Sequence, residues 1–147
     1  MKGSNRPFKE LIIQSSVKNL PNAVKFVEKE SRKAGMSKDD VLNFSIVASE
    51  AIGNAIKHGN KLNESKKVVI QTTYGKKTLC LSVMDEGEGF NPASVKNPLS
   101  PENLQRQTGR GILIMKSLAD KVKYRFRGTG TEICIFKRIS KLSNNSG

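Results

Sequence analysis

With 147 residues and 36% hydrophobic content, the chain is sized for one domain with its own core and is too apolar for a disordered polymer. Its formal net charge of +13 favours an anionic partner, whether nucleotide, nucleic acid or acidic protein, without choosing among them. No apolar run approaches the ~20 residues of a membrane span, and residues 1–7 lack the apolar core of a signal peptide, so a cytoplasmic protein without membrane association is expected.

After a flexible N-terminus at residues 1–7, residues 8–15 (FKELIIQS) read as a first strand. Pro21 suits the first position of a helix, where its missing N–H costs nothing. Val24, Val27 and Ala34, with Phe26 beside them, form a modest helical stripe that Gly35 stops. Ser37 is placed to cap a second helix, with Asp40 three residues on, and Asp39 and Asp40 suit its positive end. Val41, Phe44, Ala48, Ala51, Ile52, Ala55 and Ile56 then recur at helical period, with an end expected near Gly59.

Residues 68–74 and 78–84 read as strands joined by a hairpin turn at Gly75-Lys76-Lys77. Residues 85–108 are rich in Gly, Pro, Asn and Ser, and a loop that long in a compact domain is usually functional. A third helix is expected over 111–119, with Ile112, Met115, Leu118 and Ala119 apolar. Strands at 122–126 and 132–136 follow, turned by Gly128-Thr129-Gly130, and the polar residues 140–147 read as a disordered tail. Cys80 and Cys134 fall inside apolar strand runs without CxxC spacing and read as two buried, reduced thiols.

The element order β-α-α-β-β-loop-α-β-β, with two antiparallel hairpins, excludes a doubly wound parallel sheet. It predicts an α+β domain over residues 8–139: a two-layer sandwich whose mixed, mostly antiparallel sheet carries its helices on one face. The basic residues Lys66, Lys67, Lys76, Lys77, Lys116, Lys121, Lys123, Arg125, Arg127, Lys137 and Arg138 are spread out. They form no run of five and have no interleaved aromatics of the RNA-stacking kind, so they read as a solvated face rather than a nucleic-acid site.

Three short segments carry chemistry. Glu50 and Asn54, four apart in EAIGN, share one face of the second helix beside its apolar stripe. A carboxylate and a carboxamide there suit Mg²⁺, which takes oxygen ligands and few of them from protein. Asp85 ends a strand and opens DEGEGF, a rim position where an ionised carboxylate accepts hydrogen bonds such as those of an adenine amino group. Gly87 and Gly89 leave room beside it for a flat ring. Thr108-Gly109-Arg110-Gly111 opens the third helix, a place where backbone N–H groups bind phosphate; no Walker A pattern is present.

In this order the segments resemble the N-box and the two glycine boxes of the Bergerat-fold ATPases, the superfamily of gyrase, histidine kinases and mismatch-repair ATPases. The phrases SEAIGNAIKHGN, DEGEGF and GRGILIMKSLAD are most similar to bacterial anti-sigma factor serine/threonine-protein kinases, over about residues 8–138. The resemblance implies ATP and Mg²⁺ as ligands, with Glu50 as general base and Asn54 on the metal. It places Asp85, Gly87, Gly89 and Thr131 around the adenine, Thr108, Gly109, Arg110 and Gly111 at the phosphates, and an ATP lid over residues 91–108. Lys57, Arg106 and Arg110 are candidates for neutralising phosphate charge, and His58 reads as a structural residue at the helix end. The resemblance also implies an anti-anti-sigma (STAS-type) protein as phosphate acceptor, a sigma factor as regulated partner, and a homodimer.

Other readings of the same residues stay open. One is a non-catalytic ATP-sensing switch, in which ATP orders the lid and changes a protein interface. Another is a nucleic-acid-binding protein suggested by charge alone. A histidine-kinase fragment is disfavoured because no helix with a phospho-acceptor His precedes the domain and His58 lies within the candidate site.

Overall fold

The computed structural model describes residues 7–87, 111–127 and 130–139, apart from the side chains of 111, 112 and 127. The expected lid at 91–108, the turn residues Gly128 and Thr129, and the tail at 140–147 lie outside the described residues. The elements are β1 (Phe8–Gln14), α1 (Leu20–Ala34), α2 (Lys38–Asn54), β2 (Lys67–Tyr74), β3 (Thr78–Met84), α3 (Gly111–Leu118), β4 (Lys121–Arg127) and β5 (Gly130–Arg138). The strands form one sheet in the order β1-β2-β3-β5-β4, and every pairing among the described residues is antiparallel.

The local signals act as their chemistry dictates. Pro21 lies in the first turn of α1, and Gly35 ends that helix at φ 100°, a left-handed conformation that glycine adopts without a Cβ penalty. The Ser37 hydroxyl accepts from the Asp40 N–H at 3.1 Å, capping α2. At the first hairpin, the Gly75 N–H donates to the Thr78 carbonyl at 3.1 Å.

Alternation along the strands then sorts the two faces. Val68 and Ile70 of β2, Leu79, Leu81 and Val83 of β3, and Ile133 and Ile135 of β5 form the core with the helices. From α1 come Ala23 and Val27; from α2 come Phe44, Val47, Ala48 and Ile52; Met115 comes from α3. Burying each of the larger aliphatic side chains is worth about 1.5–3 kcal/mol, so this face supplies most of the stability. The opposite face has no helix packed on it among the described residues, and Phe8 and Ile12 stand exposed there. Both cysteines are reduced, Cys134 buried and Cys80 partly so.

The stripe of α1 departs from its sequence reading. Its buried residues are Ala23, Val27, Glu30, Ser31 and Ala34, so two polar residues lie inward. The Ser31 hydroxyl is satisfied by the Val27 carbonyl at 2.8 Å, and the Glu30 carboxylate lies 3.7 Å from the Lys33 ammonium. That satisfaction is what makes their burial affordable.

Candidate active site

Glu50 and Asn54 sit one turn apart on α2, both half-buried at the margin of its core-facing side. They continue the line of Leu42 and Ile46, which are exposed, so the stripe leads along the helix surface into the site. After Asn54 the helix widens into a π-turn over Ala55–Gly59, a rare local geometry that concentrates at functional sites. Lys57 and His58 on that turn are exposed. The chain then reverses through Lys61 and Leu62, at φ 53° and 62°.

The π-turn brings Gly59 against Asp85, the first residue after β3. The Asp85 N–H donates to the Thr131 carbonyl at 3.0 Å. In return, Asp85 Oδ1 accepts from the Gly87 N–H at 2.9 Å and from the Thr131 N–H at 3.3 Å. Both bonds fall on Oδ1, and Oδ2 lies against Gly59. Three glycines make this packing feasible. A Cβ on Gly59 would overlap the Asp85 carboxylate, one on Gly87 would strike the Gly59 carbonyl, and one on Gly130 would strike the Asp85 carbonyl. The sequence reading gave Gly87 the task of admitting a ring; the nearer reason is that the Gly59 backbone already occupies the place of its side chain.

Asn60, buried behind this turn, was not singled out from the sequence. Its Oδ1 accepts from the Glu86 N–H at 2.8 Å. Its amide nitrogen donates to Ser15 Oγ at 2.6 Å and to the Lys67 carbonyl at 2.9 Å. Glu86 Oε1 in turn accepts from the Lys67 N–H at 3.1 Å. One carboxamide thus ties the end of β1, the start of β2, the π-turn and the turn after β3. The available signal was an Asn directly after the helix-ending glycine in KHGN.

Burial pushes the Asp85 carboxyl above its ordinary range, opposed by the Gly87 and Thr131 N–H groups and by the positive charge of Lys66. Tyr124 on β4, stacked on Phe126 with ring centroids 5.8 Å apart, also borders this region. Burial raises its phenol well above the usual value, and the negative charge of Asp85 adds to the shift. Tyr124 was another residue that the sequence reading passed over.

The structure brings Gly59, Asp85, Gly87 and Thr131 together at the rims of β3 and β5, with Glu50 and Asn54 one turn apart on the helix that runs into the π-turn carrying Lys57 and Gly59. Gly111 begins α3, which packs against α2. Gly89, Arg106, Thr108, Gly109 and Arg110 lie outside the described residues. Among the described residues no cluster of three or more His, Cys, Asp or Glu could hold a metal. A lone carboxamide oxygen with one carboxylate a turn away instead suits Mg²⁺ as it binds with nucleotides, through one or two protein oxygens, waters and phosphates.

A two-layer α+β domain with a recessed carboxylate and an adjoining helix bearing Glu and Asn defines a nucleotide-binding domain. The chain belongs to the histidine kinase-like ATPase domain family, whose pattern matches residues 13–137. Among named relatives it is similar to the serine-protein kinase RsbW of Staphylococcus epidermidis, 32% identical over 124 residues that span 74% of this chain and 72% of that one. RsbW of Staphylococcus aureus strain JH9 is 29% identical over 116 residues, with the same coverage of 74% and 72%. In three dimensions it superposes on the RsbU and RsbW domains of a Mycobacterium tuberculosis protein with a TM-score of 0.67 and 15% identity, covering 90% of this chain and 32% of that one. The catalytic domain of the histidine kinase ThkA gives a TM-score of 0.59 at 17% identity, covering 90% of this chain and 98% of that one. These two likenesses concern the fold. No helix among the described residues is long and apolar enough to cross a membrane.

Proposed function

We propose that the chain is an ATP-dependent serine/threonine-protein kinase of the anti-sigma type, acting on a Ser of a STAS-type anti-anti-sigma protein and thereby regulating a sigma factor. The observation that carries this reading is the juncture of α2 with the Asp85 turn: a carboxylate and a carboxamide on one helix, running into a glycine packed on a second, rigidly held carboxylate. The serine-protein kinase names of the relatives supply the reaction type.

Asp85 takes the adenine amino group as donor, because its Oδ1 is committed to backbone N–H groups and its Oδ2 is held at the Gly59 side. Thr131 closes the same side of the base. Asn54 would hold Mg²⁺ through its carboxamide oxygen, and the ion supplies neutralisation of the triphosphate. Lys57, exposed on the π-turn, and the N-terminus of α3 with Gly109, Arg110 and Gly111 neutralise the remaining phosphate charge. Glu50 accepts the proton of the acceptor Ser as its oxygen bonds to the γ-phosphorus and the bond from that phosphorus to the bridging oxygen breaks. ADP leaves with the electron pair. The protein works in the cytoplasm and, by resemblance, as a homodimer.

Replacing Glu50 tests the assignment. Glu50→Ala should lower phosphate transfer to a purified STAS-type acceptor by about 10²–10⁴-fold, with ATP affinity kept. A parent protein that binds ATP and orders its lid, yet transfers no phosphate to any such acceptor, would favour the non-catalytic ATP-sensing switch instead.

A further inference from the structure

β4 is the last strand of the sheet beyond β5, so one row of its backbone groups pairs with no described strand. Val122 and Tyr124 pack with the core on the helix side. Lys121, Lys123 and Arg125 alternate with them, all exposed, on the face without helices. Their register partners on β5 are Phe136, Cys134 and Glu132. Among the described residues only Glu132 reaches this row, with its Oε1 3.9 Å from an Arg125 guanidinium nitrogen. Asp120, just before the strand, is committed elsewhere: it accepts from the Arg138 N–H at 2.5 Å and lies 4.0 Å from the Lys137 ammonium. At the strand's rise, the three cations stand about 6.6 Å apart in a line.

We propose that this edge is a docking strand for an acidic polypeptide segment. The segment's backbone pairs with the open row of β4, and its Asp or Glu side chains, at alternate positions, lie across from Lys121, Lys123 and Arg125. Three observations select this occupant. Cross-strand neighbours on one sheet face come close enough for opposite charges to attract, so the cation spacing matches the side-chain spacing of an added strand. Cations on an edge strand repel a second basic edge, including another copy of β4, so the same row that prevents self-pairing accepts an acidic strand. The aromatics of β4, Tyr124 and Phe126, face the helix side, so this strand gives single-stranded nucleic acid no stacking platform. The site lies on the opposite sheet face from α2 and does not depend on the nucleotide reading.

The experiment uses the full chain and three labelled probes: a seven-residue peptide alternating Glu with Val, the same peptide with Lys for Glu, and a single-stranded oligothymidylate. Fluorescence anisotropy at low salt should show binding of the Glu peptide alone, weakening as salt rises. The pair Lys121→Glu and Lys123→Glu should lower that affinity at least about tenfold, with thermal stability unchanged. The milder Lys121→Gln and Lys123→Gln pair should give an intermediate loss. No binding of the Glu peptide, equal binding of the Lys peptide, or Glu-peptide binding unchanged by the substitutions would overturn the proposal. Preferential oligothymidylate binding, lost in the same variants, would overturn it in favour of a nucleic-acid edge.

Discussion

Thr131 and Asp85 hold each other through a reciprocal pair: the Asp85 N–H donates to the Thr131 carbonyl at 3.0 Å, and the Thr131 N–H donates to Asp85 Oδ1 at 3.3 Å. The carboxylate is thereby fixed to the start of β5. Such preorganisation lets a single acceptor discriminate among bases without a further ordering cost.

Burial and hydrogen bonding compete at this carboxyl, and burial prevails, so its folded pKa lies above the ordinary 3.8. Between the two values the folded state binds more protons than the unfolded state. Asp85 therefore lowers stability as pH rises from 3.8 through its folded pKa. Asp85→Asn retains an oxygen for the Gly87 and Thr131 N–H groups and removes the ionisation. The melting temperature of the variant relative to the parent should rise as the pH climbs above 3.8 and level off once it passes the folded pKa of Asp85. A difference that stays constant across that range would show that Asp85 keeps its ordinary pKa.

Gly87→Ala should be among the more damaging single-methyl additions, because the new Cβ meets the backbone carbonyl of Gly59 rather than a flexible side chain. Overpacking of this kind costs about 1–3 kcal/mol. Chemical denaturation should show that loss together with weakened nucleotide binding, since the turn that holds Asp85 must shift. A variant of parental stability would mean that the Gly59–Gly87 contact is looser than the structure shows.

Asn60→Ala removes three hydrogen bonds and deprives the buried Ser15 hydroxyl and the part-buried Glu86 N–H and Lys67 carbonyl of their partner. Each stranded group costs about 1–3 kcal/mol unless water replaces the partner. Hydrogen exchange should report faster opening at the π-turn and at residues 85–87 than at the centre of β3. Uniform acceleration across the sheet would instead assign Asn60 to global stability alone.

Thr72 offers the opposite expectation. Its Oγ1 is buried on the helix-facing side of β2 without a hydrogen-bond partner among the described residues. Thr72→Val keeps the shape and removes the unsatisfied hydroxyl, so stability should rise by about 1 kcal/mol. A loss of that size would reveal a partner for the hydroxyl, such as ordered water.

The sequence was most legible where a feature is local. Ser37 and Asp40, Gly35, and the Gly75 turn each act within a few residues, and the structure has them as their chemistry predicts. The helical stripe of α2 likewise fixed which face carries Glu50 and Asn54. Long-range geometry was less legible. That β5 inserts between β3 and β4, antiparallel to both, depends on packing that no short window encodes. Glu30 and Ser31 lie inward because partners on the same helix satisfy them, which a polarity pattern reads as exposed. Asn60 was missed because its four-way role joins residues from Ser15 to Glu86. The glycines at 59, 87 and 130 were visible as turn residues, but their common purpose, packing three backbones around Asp85, required the fold.

The central claim is an ATP site built on Asp85, and titration calorimetry of ATP into the parent and Asp85→Asn, each with and without Mg²⁺, tests it most directly. The account predicts magnesium-dependent binding by the parent, weakened at least about tenfold in Asp85→Asn through loss of the charged acceptor. No binding by the parent at millimolar ATP, or equal affinity in the two proteins, would contradict it.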